Sequence, residues 1–137
     1  MGDRRKSREL ALQALFALDL NKTDFRPQMD DFLEQHGEDL SGPTRLFFQT
    51  LVDGVFENRK QIDTLLDQWA KNWKISRMPA VDRNIMRIAV FEMLHLSDIP
   101  SSVSINEAVE IGKKFGTRDS GPFINGVLDR IRAQHET

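Results

Sequence analysis

The 137-residue sequence contains no cysteine. A chain without cysteine can hold no disulfide, no thiolate metal site and no cysteine nucleophile, so redox chemistry on the chain is excluded. The sequence also lacks an uninterrupted apolar stretch, because its basic first residues run straight into an amphipathic segment. No signal peptide or membrane span is therefore predicted, and we expect a cytoplasmic protein.

Motifs of the common enzyme classes are missing too. The sequence has no phosphate-binding glycine loop, no G-x-S-x-G, no H-E-x-x-H and no dinucleotide fingerprint. Its three histidines, His36, His95 and His135, lie far apart near predicted helix ends, where a solvated or capping role is commoner than metal ligation. The sequence therefore predicts a protein that is not an enzyme and that uses no metal or cofactor.

The composition is that of a water-soluble globular protein, with 39% hydrophobic and 29% charged residues. Its length fits one domain over 1–137. The net charge of −2 argues against coating nucleic acid through bulk positive charge, but the charge is unevenly distributed. Residues 24–39 carry six acids against one base. The first nine residues hold the basic cluster, which comprises Arg4, Arg5, Lys6 and Arg8.

Apolar residues recur at the three-and-four spacing of helices along the whole chain, and no segment has the alternation of a strand. Helices are predicted over 7–20, 27–37, 43–73, 81–96, 104–116 and 122–131. The long third pattern is one helix or two, with bend points at Gly54 and Asn58, and Ser104 to Glu107 has the S-x-x-E form of a capping box. A break at 75–79 separates two halves, approximately 1–75 and 76–137, each too short to be stable alone.

The basic cluster has two interpretations from charge alone. A basic, flexible end that leads into a helix can fold against RNA phosphates, and its arginines can stack on unpaired bases. A solvated amino terminus is the alternative, and charge alone favours it because short basic ends are common. The segment 113–120 has two lysines, an arginine and a turn glycine beside a helix start, and an RNA contact there is as well supported as its absence.

Polar residues among apolar ones form a second feature. They are Arg87, Glu92, Asn106, Glu107 and Asn125. Because buried polar groups must be hydrogen-bonded, an internal network that fixes the packing of the late helices is favoured over an RNA or partner site. Trp69 and Trp73 lie one helical turn apart, a spacing that suits a stacking platform but fits a core equally well, and we favour the core.

Four segments together carry a family resemblance. Residues 4–16 read RRKSRELALQALF and resemble the start of NusB proteins, whose usual form is R-R-x-A-R-E-x-A-x-Q-A-L-Y. Residues 87–93, RIAVFEM, are similar to R-I-A-x-Y-E-L, and residues 105–115, INEAVEIGKKF, to I-N-E-A-V-E-L-A-K-x-F. Residues 123–129, FINGVLD, are similar to F-V-N-G-V-L-D. The four segments stand in the family's order and span nearly the whole chain.

The resemblance implies an all-α fold of about seven helices, arranged as two packed three-helix subdomains. It also implies a function: binding of boxA-containing nascent RNA jointly with NusE, a small-subunit ribosomal protein. With RNA polymerase and other Nus factors, such a complex resists termination and promotes processive transcription of ribosomal RNA operons. Family members occur as monomers and as dimers, so a homodimer is among the expectations.

The resemblance also assigns site residues. In the family, RNA is contacted by the arginine-rich amino terminus and by the loop and start of the last helix. The matching RNA-binding positions are Arg4, Arg5, Lys6, Arg8, Lys113, Lys114, Asp119, Ser120, Phe123 and Asn125. The ribosomal partner docks largely on the fifth helix and its neighbours. The matching partner-binding candidates are Asp82, Ile85, Arg87, Phe91 and Glu92, some of which must belong to the core.

The chain departs from the family pattern at a few positions. Gly121-Pro122 stands where many members have a lysine, which removes a charge and stiffens the entry to the last helix. Phe16 and Phe91 replace more frequent tyrosines, so a phenol hydrogen bond is absent there while packing remains.

Two other functions compete with this interpretation. The same helical domain occurs fused to methyltransferases that modify cytosine in ribosomal RNA, but that activity needs a further α/β domain with a glycine-rich cofactor loop, for which we see no room. The net charge of −2 keeps a second alternative open: a protein-interaction adaptor for the ribosomal partner that touches RNA only weakly.

Overall fold

A computed structural model describes residues 2–21, 24–71 and 73–135. These ranges form seven α-helices and one short 3-10 turn, and they contain no strand. In chain order the elements are α1 (Gly2–Asn21), α2 (Phe25–Gln35), α3 (Gly42–Glu57), α4 (Arg59–Trp69), the 3-10 turn (Ile75–Arg77), α5 (Ala80–His95), α6 (Ser101–Phe115) and α7 (Ser120–His135). The predicted all-helical class with about seven helices is confirmed.

Helix α5 is the centre of the molecule. Every side chain from Asn84 to Glu92 is buried, so α5 is enclosed on all sides, although this stretch includes the polar residues Asn84, Arg87 and Glu92. It packs against α1, α3, α4, α6 and α7, while α1 also pairs with α3, and α6 with α7. One continuous core results, and the division into subdomains at about residue 75 remains a proposal. Within the described ranges, no helix combines the length and the apolar character needed to cross a bilayer.

The long third pattern is two helices and divides at Asn58, one of the two bend points that the sequence offers. The backbone amide and the side-chain amide of Asn58 both donate to the Gly54 carbonyl oxygen, at 3.0 and 2.8 Å. These hydrogen bonds lie where α3 ends and α4 begins. Gly54 has a second role, because a Cβ at this position would overlap the Phe91 ring of α5. The absence of a side chain at Gly54 therefore sets how closely α3 approaches α5.

Three sequence-based expectations about local structure are wrong. Helix α1 already includes residue 4, so the basic cluster is helical and not a flexible end. Helix α6 starts directly after Pro100, so Ser104 lies in its second turn and cannot cap it. The Ser104 hydroxyl instead donates to the buried Glu92 carboxylate at 2.7 Å. Trp73 lies beyond the end of α4 and is 49% exposed, so it is not a core residue.

Candidate nucleic-acid interface

Arg8 is the most deeply placed member of the basic cluster. Its side chain is 4% exposed and its guanidinium forks onto Glu92, with Nε and Nη2 donating at 2.7 and 2.8 Å. Its Nη1 donates to Glu107 at 3.3 Å. Arg8 was predicted to bind RNA, but it does not lie on the surface. Its guanidinium donors bind these two carboxylates inside the protein. In this structure Arg8 fixes the start of α1 against α5 and α6.

Arg5, one helical turn earlier, is half-buried and forms a two-point contact with Glu107. Its Nε and Nη2 donate to the two carboxylate oxygens at 2.6 and 2.5 Å. The hydrogen bond from Arg5 holds the pKa of Glu107 below its ordinary value, against the opposing effect of burial. The same hydrogen bond raises the pKa of Arg5. Glu107 therefore remains ionised and neutralises part of the positive charge of the cluster.

The two remaining members of the cluster are exposed and loosely held. The Arg4 guanidinium lies 4.8 Å from the centre of the Phe47 ring, and its nearest acid is Asp98 at 4.0 Å. The Lys6 ammonium contacts Asp39 at 3.0 Å. Exposed pairs of this kind contribute little and exchange readily with another anion. Arg4 and Lys6 are thus the cluster members whose side chains can exchange their present acidic partners for a phosphate.

The end of α6 lies beside the start of α1. Lys113 and Lys114 occupy its last turn, and the Lys114 ammonium donates to both oxygens of Glu9 at 3.1 and 3.2 Å. Glu9 directly follows Arg8 on α1, so this contact brings two basic segments that are about 100 residues apart in sequence onto one side of the molecule. Both lysines are exposed.

The predicted site residues around the start of α7 divide by exposure. Asp119 and Asn125 are exposed, and Phe123 is partly buried. Ser120 is 1% exposed, since its hydroxyl donates to Asp82 at 2.7 Å and accepts from the Thr117 amide at 3.0 Å. The expectation that Ser120 lies on the surface is therefore wrong.

Trp73 forms an edge-on contact with Phe123, with ring centres 6.2 Å apart. The two rings line an open groove together with Asp119. Sequence spacing does not join Trp73 to this group, because the pairing depends on how the end of α4 and the start of α7 pack. The ring of Phe47, which lies under Arg4, could not be singled out either, since within α3 it is one apolar residue among many.

The internal network predicted from sequence is partly correct. Glu92 and Glu107 share one network through Arg8, whereas Arg87 belongs to a separate network with Asp63 and Asp19. Asn106 and Asn125 are exposed. The hypothesis that Asn106 and Asn125 belong to an internal network is therefore wrong. Because their side chains are exposed, both can contact a ligand.

The five partner-binding candidates on α5 are all buried. Their exposure is at most 6% for the whole set, which is Asp82, Ile85, Arg87, Phe91 and Glu92. Ile85 and Phe91 belong to the apolar core. Burial raises the pKa of Asp82, against the opposing hydrogen bond from Ser120. We expected some of the five to belong to the core, but in the isolated chain none of them is exposed, because α5 is surrounded by five other helices.

Comparison with known proteins gives a consistent result. The family model described as "NusB family" matches residues 5–133. "Transcription antitermination protein NusB" from Desulforapulum autotrophicum is 56% identical over 132 residues, covering 96% of this chain and 92% of the relative.

Solved structures agree. A structure of T. maritima NusB superposes with a TM-score of 0.88 at 35% identity, covering 98% of this chain and 93% of the other. A crystal structure of antitermination factors NusB and NusE in complex with dsRNA has the same fold, with a TM-score of 0.87 at 24% identity and 98% coverage of both chains.

Proposed function

The chain belongs to the NusB family, and on that premise we propose that it is a transcription antitermination factor that binds boxA-containing nascent RNA together with the ribosomal protein NusE. In this role it promotes processive transcription of ribosomal RNA operons, as part of a complex of RNA polymerase with other Nus factors. The proposal includes a cytoplasmic location and the absence of enzymatic activity. It is supported by the name of the curated relative and by the NusE and dsRNA content of a solved structure that shares the fold.

The observation that carries the RNA-binding part is the contact between Lys114 and Glu9. This contact joins the last turn of α6 to α1, and on that basis we group the basic side chains of the two segments as one basic face. Its members are Arg4, Arg5, Lys6, Lys113 and Lys114. Single-stranded RNA suits such a face, because its phosphates are flexible enough to follow charges that come from two helices.

Residues around the start of α7 are included in this proposal as contacts to RNA bases, in addition to the phosphates that the basic face binds. Phe123 and Trp73 present ring surfaces on which an unpaired base can stack. Asp119 and Asn125 are exposed and offer acceptors and donors for base edges. Ser120 and Arg8 act indirectly, Ser120 by holding the start of α7 and Arg8 by holding α1.

Partner binding requires a different role for the α5 candidates. Because these five side chains are buried, we assign them to the support of the surface on which NusE docks and not to direct contact. Substitutions of Arg87 or Glu92 would then weaken partner binding only together with the stability of the fold.

A second candidate function is an adaptor that binds the ribosomal partner and touches RNA weakly. The pairing of Arg5 and Arg8 with Glu107 and Glu92 favours it, because these pairs reduce the free positive charge of the cluster. The net charge of −2 also reduces the attraction of the whole molecule for RNA at longer range.

A titration separates the two functions. Fluorescence anisotropy would follow the binding of a short boxA-like RNA and a scrambled RNA of equal length, with and without NusE, at two salt concentrations. A preference for boxA that increases when NusE is present supports antitermination through RNA binding. Equal and weak binding of both RNAs, combined with tight NusE binding, makes the chain chiefly an adaptor.

A further inference from the structure

An open cleft lies at the end of α1 that is remote from the basic cluster. It is formed by α1, α3, α4, α5 and the 3-10 turn, and Asp19 of α1 is among its lining residues. Fifteen residues of α-helix separate Asp19 from Arg4, which corresponds to about 22 Å along the helix axis. The cleft is therefore spatially distinct from the face to which the RNA proposal refers.

Three arginines converge on the Asp19 carboxylate. Arg59 donates to its Oδ1 at 3.1 Å, while Arg83 and Arg87 donate to its Oδ2 at 3.1 and 3.0 Å. The second acid in the cleft is Asp63, which accepts from Arg87 at 2.8 and 3.0 Å. Burial opposes the ionisation of Asp19, but a hydrogen bond from Asn84 and the three arginines outweigh it and lower its pKa. Three positive charges thus meet two negative charges, which leaves an excess of one.

Arg59 and Arg83 keep donors that the cleft itself does not use. Arg87 is fully engaged, since it contacts Asp63, Asp19 and Asn84. In Arg83, Nε donates to Asp19 and Nη1 to the carbonyl oxygens of Ile75 and Met78, and Nη2 has no hydrogen-bond partner among the described residues. The Nη1 of Arg59 also lacks one in this part of the chain, and the Arg59 side chain is 43% exposed. Both arginines bind the same carboxylate, which brings their two guanidinium groups together at Asp19.

Part of the cleft wall is apolar. Leu18 and Ile75 line it, together with Phe56, which is 46% exposed. An arginine pair beside an apolar wall matches a ligand that carries a carboxylate next to a hydrophobic group. We propose that this arginine cleft binds an acidic side chain of a protein partner, presented beside an apolar side chain that packs on Phe56.

The surroundings favour a protein segment over RNA. Phe25 stacks on Phe56 with ring centres 3.9 Å apart, which places the start of the acidic helix α2 at the rim of the cleft. Asp24, next to Phe25, is exposed. A nucleic acid strand would carry one charge per nucleotide past Asp24, Asp19 and Asp63, whereas a peptide can present a single carboxylate to the two arginines.

An NMR titration with a defined probe tests the proposal. The probe is the peptide acetyl-Ala-Phe-Glu-Ala-amide, its control is the same peptide with glutamine in place of glutamate, and the full chain is labelled with ¹⁵N. We expect the glutamate peptide to shift the Nε–Hε signals of Arg59 and Arg83 and the backbone amides of Phe56 and Ile75, and the glutamine peptide to leave them in place. Equal shifts with both peptides, or none with either, overturn the proposal.

Variants locate the binding. Arg59→Gln should weaken binding of the glutamate peptide about tenfold, the effect of losing a charge-assisted hydrogen bond. Lys60→Gln makes the same change of charge at the neighbouring exposed position and should leave the affinity unchanged. Melting curves of both variants check that the fold is intact. Equal affinities of Arg59→Gln and the parent protein would exclude the cleft as the site.

The competing ligand chemistry is tested with the hexanucleotide U₆ and with inorganic phosphate. If either shifts the same arginine signals as strongly as the glutamate peptide does, the assignment to a protein carboxylate fails. Arg59→Gln should also bind boxA-like RNA as tightly as the parent protein, because the cleft is remote from the basic face. The outcome for the cleft is thus independent of the outcome for RNA binding at the basic face.

Discussion

Glu92 of α5 and Arg8 of α1 form a two-point ion pair across 84 residues of sequence, and their side chains are 1% and 4% exposed. Ser104 of α6 completes the pair by donating to the same carboxylate. Three helices are therefore joined at one buried carboxylate.

The first prediction concerns this ion pair. Arg8→Ala should lower the free energy of unfolding by about 3–5 kcal/mol, because it leaves the Glu92 carboxylate buried without its counter-charge. Arg4→Ala, an exposed arginine on the same helix, should change it by less than about 1 kcal/mol. Urea denaturation followed by circular dichroism measures both. Similar small effects of the two substitutions would show that the Arg8–Glu92 pair is not closed in solution.

The second prediction separates RNA contact from stability. The double variant Arg4→Ala, Lys6→Ala should weaken binding of boxA-like RNA and reduce the slope of log affinity against log salt by about 0.7 for each phosphate that is no longer neutralised. Its melting temperature should stay close to that of the parent protein, because both side chains are exposed. An unchanged salt slope would rule out these two residues as phosphate ligands.

The third prediction concerns competition between an acid and RNA for Arg5. Glu107→Gln should tighten RNA binding on the order of fivefold, because a neutral amide competes less well with phosphate for the Arg5 guanidinium. A folding defect cannot produce tighter binding, so the direction of the change is diagnostic. Asp129→Asn, which removes an exposed carboxylate on α7, is the control for the change of charge in the anisotropy titration. Weaker RNA binding by Glu107→Gln would mean that Glu107 orients Arg5 for RNA and does not compete with it.

The fourth prediction uses the raised pKa of Asp82. A carboxyl whose pKa is higher in the folded than in the unfolded state destabilises the fold as pH rises from the ordinary value of 3.8 through the raised folded value. Asp82→Asn removes this titration and keeps an acceptor for the Ser120 hydroxyl. The stability of this variant relative to the parent protein should therefore increase with pH across that interval.

Denaturation curves at several pH values test this expectation. Asp129→Asn, which changes an exposed carboxylate on α7, controls for the general effect of removing a negative charge. A constant difference in stability between Asp82→Asn and the parent protein would contradict the raised pKa.

The fifth prediction compares two glycines within helices. Gly54→Ala should destabilise the protein by about 1–3 kcal/mol, because the new methyl group meets the Phe91 ring. Gly126→Ala should stabilise it by up to about 1 kcal/mol, because alanine favours the helix and only the end of the Arg130 side chain lies nearby, at 3.7 Å. Opposite shifts in melting temperature are the expected result. Phe91→Leu in the Gly54→Ala background should recover part of the decrease in stability.

Local features of the fold could be predicted from the sequence. The helical pattern, the break at Asn58 and the end of α6 at Gly116 depend on residues within a few positions of each other, and all three are confirmed. The capping box at Ser104 failed because its hydroxyl has a partner on α5, twelve residues earlier in the chain. Local spacing alone cannot indicate such a partner.

Exposure was the harder property to predict. The sequence contains no indication that Arg8 is buried, since its two acid partners lie 84 and 99 residues away. Asn125 is exposed because α6 covers a different face of α7, which periodicity alone does not reveal. The residues predicted to contact RNA or the partner therefore include exposed side chains and buried side chains that support the surface. The two kinds can be distinguished only once the packing of the helices is known.

The contact between Lys6 and Asp39 also bears on the rate at which RNA associates with the protein. In sequence the basic start and the acidic segment are separate, but in the fold the end of the acidic segment lies against the basic cluster, while Glu107 neutralises Arg5 from the other side. Opposite charges so close together cancel beyond about one Debye length, roughly 8 Å in physiological salt. We therefore expect an approaching RNA to experience little long-range attraction and to associate at a rate that depends only weakly on salt. The ionic contribution should act mainly through the dissociation rate of the complex.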